Sequence, residues 1–425
     1  MITIASPEER AILVGAPLKR SHDRHQVEEH LEELGRLADT AGACVVGSLT
    51  QQLDRPHPAT YLGSGKLDAL RERAGALDAS LVLFDDELSP AQGRNIEQAI
   101  GVRVMDRAEL ILDIFATRAR TNEAKLQVEL AQLEYMLPRL TRMWTHLEKF
   151  RGGIGVRGPG ETQLETDRRL IGHRIRVLKE RLEGVQRSRE VQRASRKDTF
   201  RAALVGYTNA GKSSILRGLT GAKDVFVEDR LFATLDPLTR EAHVGAHARV
   251  LVTDTVGFIR KLPHHLVASF RATLEETREA DLLLHVIDAS HPGWEEQRAV
   301  VEDVLADIGA GDMPVLYVFN KIDALDADVV EAMRVREEHA GAEAVFVSAH
   351  TPGGLQRLAD ALAAREQARY SIVELRLAPS DGRELAGLYR DAEVLEERSD
   401  DDALYVRARV GARLLGQLRE RGLVV

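Results

Sequence analysis

Apolar positions fall along this chain in four successive regimes. Between residues 11 and 118, short apolar runs alternate with stretches in which apolar residues recur every three or four positions. AILVG (11–15), CVVGSL (44–49), LVLF (81–84) and VRVM (102–105) read as strands, and 24–41, 66–75 and 89–100 as helices. That rhythm predicts a small βα unit, residues 1–120, with a largely parallel sheet. From 121 to 198 the pattern changes to heptads. Leu126, Leu130, Leu133, Leu137, Leu140, Trp144 and Leu147 alternate steps of four and three, and Leu164, Ile171, Ile175, Leu178, Leu182 and Val185 continue the spacing. Two long helices should fold back as an antiparallel coiled-coil hairpin, the first kinked at Pro138 and the second started by a Thr162/Glu165 capping box. From 199 to 368 mainly apolar runs return at 200–206, 248–254, 282–288, 315–320 and 344–349, suited to a sheet buried on both faces. The last stretch, 369–425, reads as a small α/β unit: strand IVELRL, a helix near 381–397, a turn at ERSDDD, strand LYVRARV and a closing helix. The fold class is therefore α/β and multidomain.

Composition narrows the setting. The 425 residues include one cysteine, Cys44, which excludes a disulfide framework and a cysteine-built zinc site. The start, MITIASPEERAILVG, lacks a basic-then-apolar leader, and no run approaches the ~20 apolar residues of a membrane span. A cytoplasmic protein without a membrane span, and a monomer, is the expectation. The net charge of −9 conceals an asymmetry: residues 118–198 hold 19 Lys+Arg against 11 Asp+Glu, inside an otherwise acidic chain. The connector between the heptad segments, RGGIGVRGPG (151–160), has five glycines, one proline, Arg151 and Arg157. Such a tip lets backbone approach RNA while the two arginines engage phosphates or stack on bases. A plain flexible connector is the bland alternative.

Chemistry concentrates at the strand ends of 199–368. Gly206-Tyr207-Thr208-Asn209-Ala210-Gly211-Lys212-Ser213, followed by Ser214, has the P-loop spacing between a strand and a helix. Its backbone N–H groups would cradle phosphates, Lys212 would reach the β- and γ-phosphates, and Ser213 would ligate Mg²⁺. Asp254-Thr-Val-Gly257 ends the second strand; Asp254 would hold Mg²⁺ through water and the Gly257 N–H would sense the γ-phosphate. Asn320-Lys321-Ile322-Asp323 closes a fourth strand. The Asp323 carboxylate can accept from guanine N1–H and its exocyclic amine, which adenine cannot offer, so the site selects GTP and GDP. Asn320 would brace the loop, Lys321 would lie over the base, and Ser348-Ala349 would supply an N–H to guanine O6. Of Thr234 and Thr239, Thr234 is preferred as the residue that completes the Mg²⁺ shell. No catalytic side chain is assigned: Phe258 stands where a water-orienting glutamine is often found, leaving positioning to Lys212, Thr234 and Gly257. Unaided hydrolysis should be slow. Asn209 is a candidate K⁺ ligand. His264 and His265 read as surface histidines, and Gly63-Ser-Gly65-Lys66 as turn chemistry before a helix.

The order of these units, with RGGIGVRGPGETQLETDRR (151–169), GYTNAGKSS, DTVGFIRKLPHHL, HPATYLGSGK (57–66) and LSPAQGRNIE (88–97), resembles the HflX GTPase family, in the broader TrmE/Era/Obg-like class of translation GTPases. The resemblance covers nearly the whole chain and is weakest over the last 55 residues. It implies a GTP-hydrolysing switch that binds the large ribosomal subunit and its rRNA, separates stalled or idle 70S particles, and is stimulated by the ribosome. It places the hairpin loop near the peptidyl-transferase region, and related GTPases with an asparagine at the position of Asn209 use K⁺. Two rivals remain open here: a nucleotide-gated scaffold that binds a protein through the hairpin, and an ATP-driven RNA-remodelling NTPase, although no second Walker motif is present.

Overall fold

The computed structural model describes residues 9–19, 26–143, 163–194, 199–222, 230–245, 248–262, 277–378, 381–400 and 403–425. The tip at 151–160 with Arg151 and Arg157, and Trp144, Leu147, Thr162, His264 and His265, lie outside these residues. The first unit runs β1 (Glu9–Gly15), α1 (Val27–Ala41), β2 (Ala43–Thr50), α2 (Ser64–Ala76), β3 (Leu81–Phe84), α3 (Pro90–Ile100), β4 (Arg103–Asp106) and α4 (Arg107–Arg118). Its strands form a parallel sheet in the order β2-β1-β3-β4. Local chemistry sets the helix ends. Ser89 and Gln92 form a capping box ahead of α3 with Pro90 in its first turn, and Gly101 closes that helix in the left-handed conformation. Gly63 stands at the N-cap of α2, so the Gly-Ser-Gly-Lys stretch is the start of a helix.

Helix α4 is an element that the apolar pattern did not announce. It follows β4 without a loop, because Asp106 ends the strand and also caps the helix through the Glu109 N–H at 2.9 Å. Helices α5 (Asn122–Met143) and α6 (Gln163–Ala194) come next, and α5 continues through Pro138. Leu126, Leu130, Ile175 and Leu178 are buried between them, flanked by Leu133, Leu137, Ile171 and Leu182. Arg174 grips Glu129 through two N–H groups at 2.6 and 2.9 Å across the seam.

The third unit comprises β5 (Phe200–Gly206), α7 (Lys212–Thr220), β6 (Leu238–Val244), β7 (Ala248–Asp254), β8 (Leu282–Asp288), α8 (Trp294–Asp307), β9 (Val315–Asn320), α9 (Ala327–His339), β10 (Ala344–Phe346) and α10 (Gln356–Gln367). The six-stranded sheet has the order β10-β9-β8-β5-β7-β6, parallel except for β6 against β7. Its central strands are buried except at Arg201 and Asp288, which are half-buried, in keeping with their mainly apolar runs. One apolar core continues from the first sheet into this one: Leu13, Leu83 and Phe115 share it with Val205, Phe258 and Leu283.

The tail holds β11 (Tyr370–Leu377), α11 (Gly382–Asp391), β12 (Glu393–Ser399), β13 (Leu404–Gly411) and α12 (Ala412–Glu420), with an antiparallel sheet in the order β11-β13-β12. The helix expected over 381–397 is therefore shorter, and 393–399 is a strand. Glu, Leu and Arg favour helix locally, but pairing with β13 prevails, with Arg409 on Glu393 at 2.5 Å and Val394 packed against the tail core. Among the described residues, no helix is long and apolar enough to cross a membrane.

Candidate GTP site

The phosphate end of the site is built where β5 turns into α7. Gly206 has φ +150°, and a Cβ there would lie 2.2 Å from the Val286 carbonyl oxygen, so only glycine fits. Asn209 follows in the left-handed region at φ +62°. Gly211, at φ +97°, admits no side chain because the Asn320 amide is packed against its Cα. Lys212 is buried, with its ammonium donating to the carbonyls of Gly206 at 3.1 Å and Tyr207 at 2.9 Å. Burial pushes its amine down to about 8.

Three oxygen-bearing side chains converge beside it. Ser213 Oγ donates to Asp254 Oδ2 at 2.6 Å, Thr234 Oγ1 donates to the same oxygen at 2.9 Å, and the two hydroxyls are 2.9 Å apart. Among the described residues, Asp254 Oδ1 is buried without a hydrogen-bond partner. Burial raises the Asp254 pKa against the pull of Lys212 and the two hydroxyls. An all-oxygen set with one orphaned carboxylate oxygen is chemistry suited to a hard divalent cation. Thr239 is not part of it; it lies on β6 and pairs with the Thr253 hydroxyl at 2.9 Å.

Gly257 follows at close quarters. A Cβ there would stand 2.8 Å from Thr208 Cγ2 and 3.0 Å from Lys212 Nζ. Phe258 is held by its backbone, with its N–H donating to Gly206 at 3.0 Å and its carbonyl accepting from Thr208 at 2.7 Å. Its ring is only 1% exposed and packs into the core shared with the first sheet. Nothing polar on that side chain can orient a water molecule.

The base end is tied to the P-loop by Asn320, which donates to the Ala210 carbonyl at 2.9 Å and accepts from the Ala349 N–H at 3.1 Å. Lys321, at φ +64°, donates to Asp288 Oδ2 at 2.7 Å. Asp323 is exposed on the turn Ile322–Ala324. Ser348 is buried, its hydroxyl accepting from the N–H groups of His350 at 3.2 Å and Thr351 at 3.3 Å. A cleft of about 330 Å³ joins the P-loop, Thr234, Gly257, Asn320 and Lys321, and Ser214 also lines it. Its walls add Arg230, Phe232 and His350, which no motif singled out. A larger cavity of about 740 Å³, between α3, β4 and α5, contains none of the nucleotide-motif residues, but Ser89, Pro90, Gly93, Arg94 and Glu97 of LSPAQGRNIE line it.

Tyr207 and the segment after Gly257 also face the first unit. Tyr207 Oη donates to Glu33 at 2.5 Å and accepts from the Arg260 N–H at 2.9 Å. Lys261 donates to Asp85 at 2.6 Å and to Asp86 at 2.7 Å. Arg107, 2% exposed, donates to Asp85 at 2.8 Å and also to Glu33. Burial alone would raise the carboxyl groups of Glu33 and Asp85. Their cationic neighbours, Arg107 foremost, outweigh it and hold both below the ordinary range.

Residues 28–116 match the family model described as GTP-binding GTPase N-terminal, 118–196 the GTP-binding GTPase Middle Region, and 201–321 the 50S ribosome-binding GTPase. GTPase HflX of Lacrimispora saccharolytica is 44% identical over 99% of this chain and 98% of its own length. This chain belongs to the HflX GTPase family. Other HflX proteins give the same picture. That of Caldanaerobacter subterraneus is 46% identical over 99% of this chain and 95% of its own, and that of Escherichia coli 46% identical over 93% and 91%. A GTP-binding protein from Sulfolobus solfataricus, solved with GDP, aligns with 84% of this chain and 99% of its own at 26% identity and a TM-score of 0.43. As an HflX GTPase, the protein binds guanine nucleotide and hydrolyses GTP to GDP and phosphate.

Proposed function

We propose that this HflX GTPase is a Mg²⁺-dependent switch that binds the large ribosomal subunit, splits or rescues 70S ribosomes, and hydrolyses GTP at full rate only when the ribosome stimulates it. The observation that carries the reading is a cleft assembled for phosphates and base beside a Phe258 ring that is buried in the core. Lys212 would reach the β- and γ-phosphates, and Ser213, Thr234 and Asp254 are the residues that would hold the Mg²⁺ ion, Asp254 through water. An ion held there would supply positive charge against the phosphates. The Gly257 N–H donates to the γ-phosphate, and Asn209 is a K⁺ ligand in the same cleft. Asp323 accepts from the guanine N1–H and amine, Lys321 covers the ring, and the Ala349 N–H beside Ser348 donates to O6. Asn320 fixes the two ends of the site at one spacing through its paired hydrogen bonds. With positioning supplied but no side chain to aim the water, the remaining acceleration, ~10³–10⁵ in related systems, falls to the partner.

The basic helix pair supports an RNA-bearing partner, and Arg151 and Arg157 are read as its rRNA contacts. The working form is a cytoplasmic monomer. Sucrose-gradient sedimentation of ribosomes with the purified protein tests this directly. In the presence of a non-hydrolysable GTP analogue, the protein should co-migrate with large subunits and deplete the 70S peak. Failure on both counts leaves a protein-binding scaffold or an ATP-driven RNA remodeller as the better account. Arg151→Glu with Arg157→Glu should weaken co-migration and spare GTP affinity.

A further inference from the structure

Asp236 lies two residues beyond Thr234 and outside every motif. Its carboxylate accepts from the backbone N–H groups of Arg120 at 3.0 Å and Thr121 at 3.3 Å, and from the Thr121 hydroxyl. Thr121 is the root of the helix pair. Its hydroxyl accepts from the Ala124 N–H at 3.1 Å and its carbonyl from the Lys125 N–H at 3.1 Å, which caps α5. A carboxylate is favoured there, where unsatisfied N–H groups and the helix dipole both present positive charge. The loop is also pinned from its other flank. Leu231, Phe232 and Leu235 are buried in the core that the first and third units share, and the Phe232 ring meets Phe115 edge-on at 4.7 Å. Phe232 holds φ +55°, a conformation that a side-chain-bearing residue keeps only when its surroundings impose it. Thr234 is suspended between these two anchors, and its hydroxyl is the part that reaches Ser213 and Asp254.

We infer that Asp236 is a positioning residue that fastens the Thr234 loop to the root of α5, making engagement of Thr234 and seating of the helix pair one event. Asp236 does not line the nucleotide cleft, and it acts through Thr234. The inference rests on the reading of Thr234 as a metal ligand of the GTP state. By linkage the coupling runs both ways: nucleotide that draws Thr234 in also fixes the direction of the helix pair, and a partner that fixes the helices tightens GTP.

The test measures affinity of the full chain for a fluorescent non-hydrolysable GTP analogue and for GDP across a Mg²⁺ series. The variants are Asp236→Ala, Thr121→Val, Thr121→Ser and Thr234→Ala. Asp236→Ala and Thr121→Val should weaken the analogue about five- to tenfold, the size of one lost helix cap, and raise the Mg²⁺ needed. GDP affinity should stay within about twofold, since on that reading only the GTP state uses Thr234 as a metal ligand, and Thr121→Ser should keep wild-type values. A merely structural role would weaken both nucleotides alike, and that result, or no change, overturns the inference. If Thr234→Ala shifts the analogue-to-GDP ratio while Asp236→Ala does not, the inference alone fails. If Thr234→Ala leaves the ratio unchanged, the metal-ligand reading fails and the inference with it. Spin labels replacing the exposed Arg176 and Arg217, in a Cys44→Ser background, add a second readout. The analogue should narrow their distance distribution in the wild type and leave it broad in Asp236→Ala; equal narrowing in both would also overturn the coupling.

Discussion

Replacing Glu33 by Gln perturbs the contact between the first unit and the P-loop while conserving shape. In the native site one carboxylate oxygen accepts from Arg107 and the other from Tyr207. Glutamine offers a single acceptor, so its amide N–H groups must face one of those two donors. Arg107 is 2% exposed and would retain only Asp85, which it already shares with Lys261. Breaking a buried ion pair from one side costs about 3–5 kcal/mol, because the surviving charge is left in a dry site. At roughly 2–4 °C per kcal/mol for a unit of this size, the melting temperature should fall by about 6–20 °C. Scanning calorimetry at fixed GDP and Mg²⁺ measures it, since bound ligand moves the midpoint by mass action. The pair Glu33→Leu with Arg107→Met removes both charges and should cost clearly less than the two single changes added together. A drop under about 1 °C for Glu33→Gln, or strict additivity in the double variant, would refute the claim that this cluster is a coupled buried network.

Further outcomes follow from the same geometry. Glu33 and Asp85 have depressed pKa values, so their contribution is intact above the unfolded-state values and fades as pH falls through the folded ones. Stability should therefore decline from about pH 4 downward, less steeply in Glu33→Gln, as acid titration followed by circular dichroism would record. Phe258→Gln should not produce a faster hydrolase. The amide would enter an apolar core and cost about 3 kcal/mol or more, visible in urea denaturation, while single-turnover hydrolysis stays at or below wild type. Asp323→Asn should shift base preference from GTP toward XTP in competition binding, and an unchanged preference would undo the base assignment.

The sequence made the strand-end chemistry readable because steric need and spacing coincide there. Gly206, Gly211 and Gly257 each stand where a Cβ would strike a neighbour, and Lys212 and Asn320 face those same contacts. The choice between Thr234 and Thr239 was also open to reading, since one precedes a strand and the other lies within it. Helix α4 was hidden because a single residue, Asp106, serves as strand end and helix cap, leaving no polar connector to mark the change. Strand β12 was misread because its residues favour helix in isolation and become a strand only through β13. The Glu33–Asp85–Arg107–Lys261 cluster could not be foreseen at all. Its members are scattered over four segments, and only the folded chain brings their charges together.

The core that runs from Leu83 and Phe115 into Val205 and Leu283 bears on how such a protein can be recombined. A graft that joins the first unit of one relative to the nucleotide-binding unit of another would bring together two half-cores selected in different company. Large and small side chains would then meet out of register, with overpacking on one side and voids on the other. The tail differs, because Leu375, Leu388, Val406 and Leu418 close a core of their own. Viable chimaeras should therefore have their junction near Ala368, and the two sheets on its N-terminal side should be inherited together.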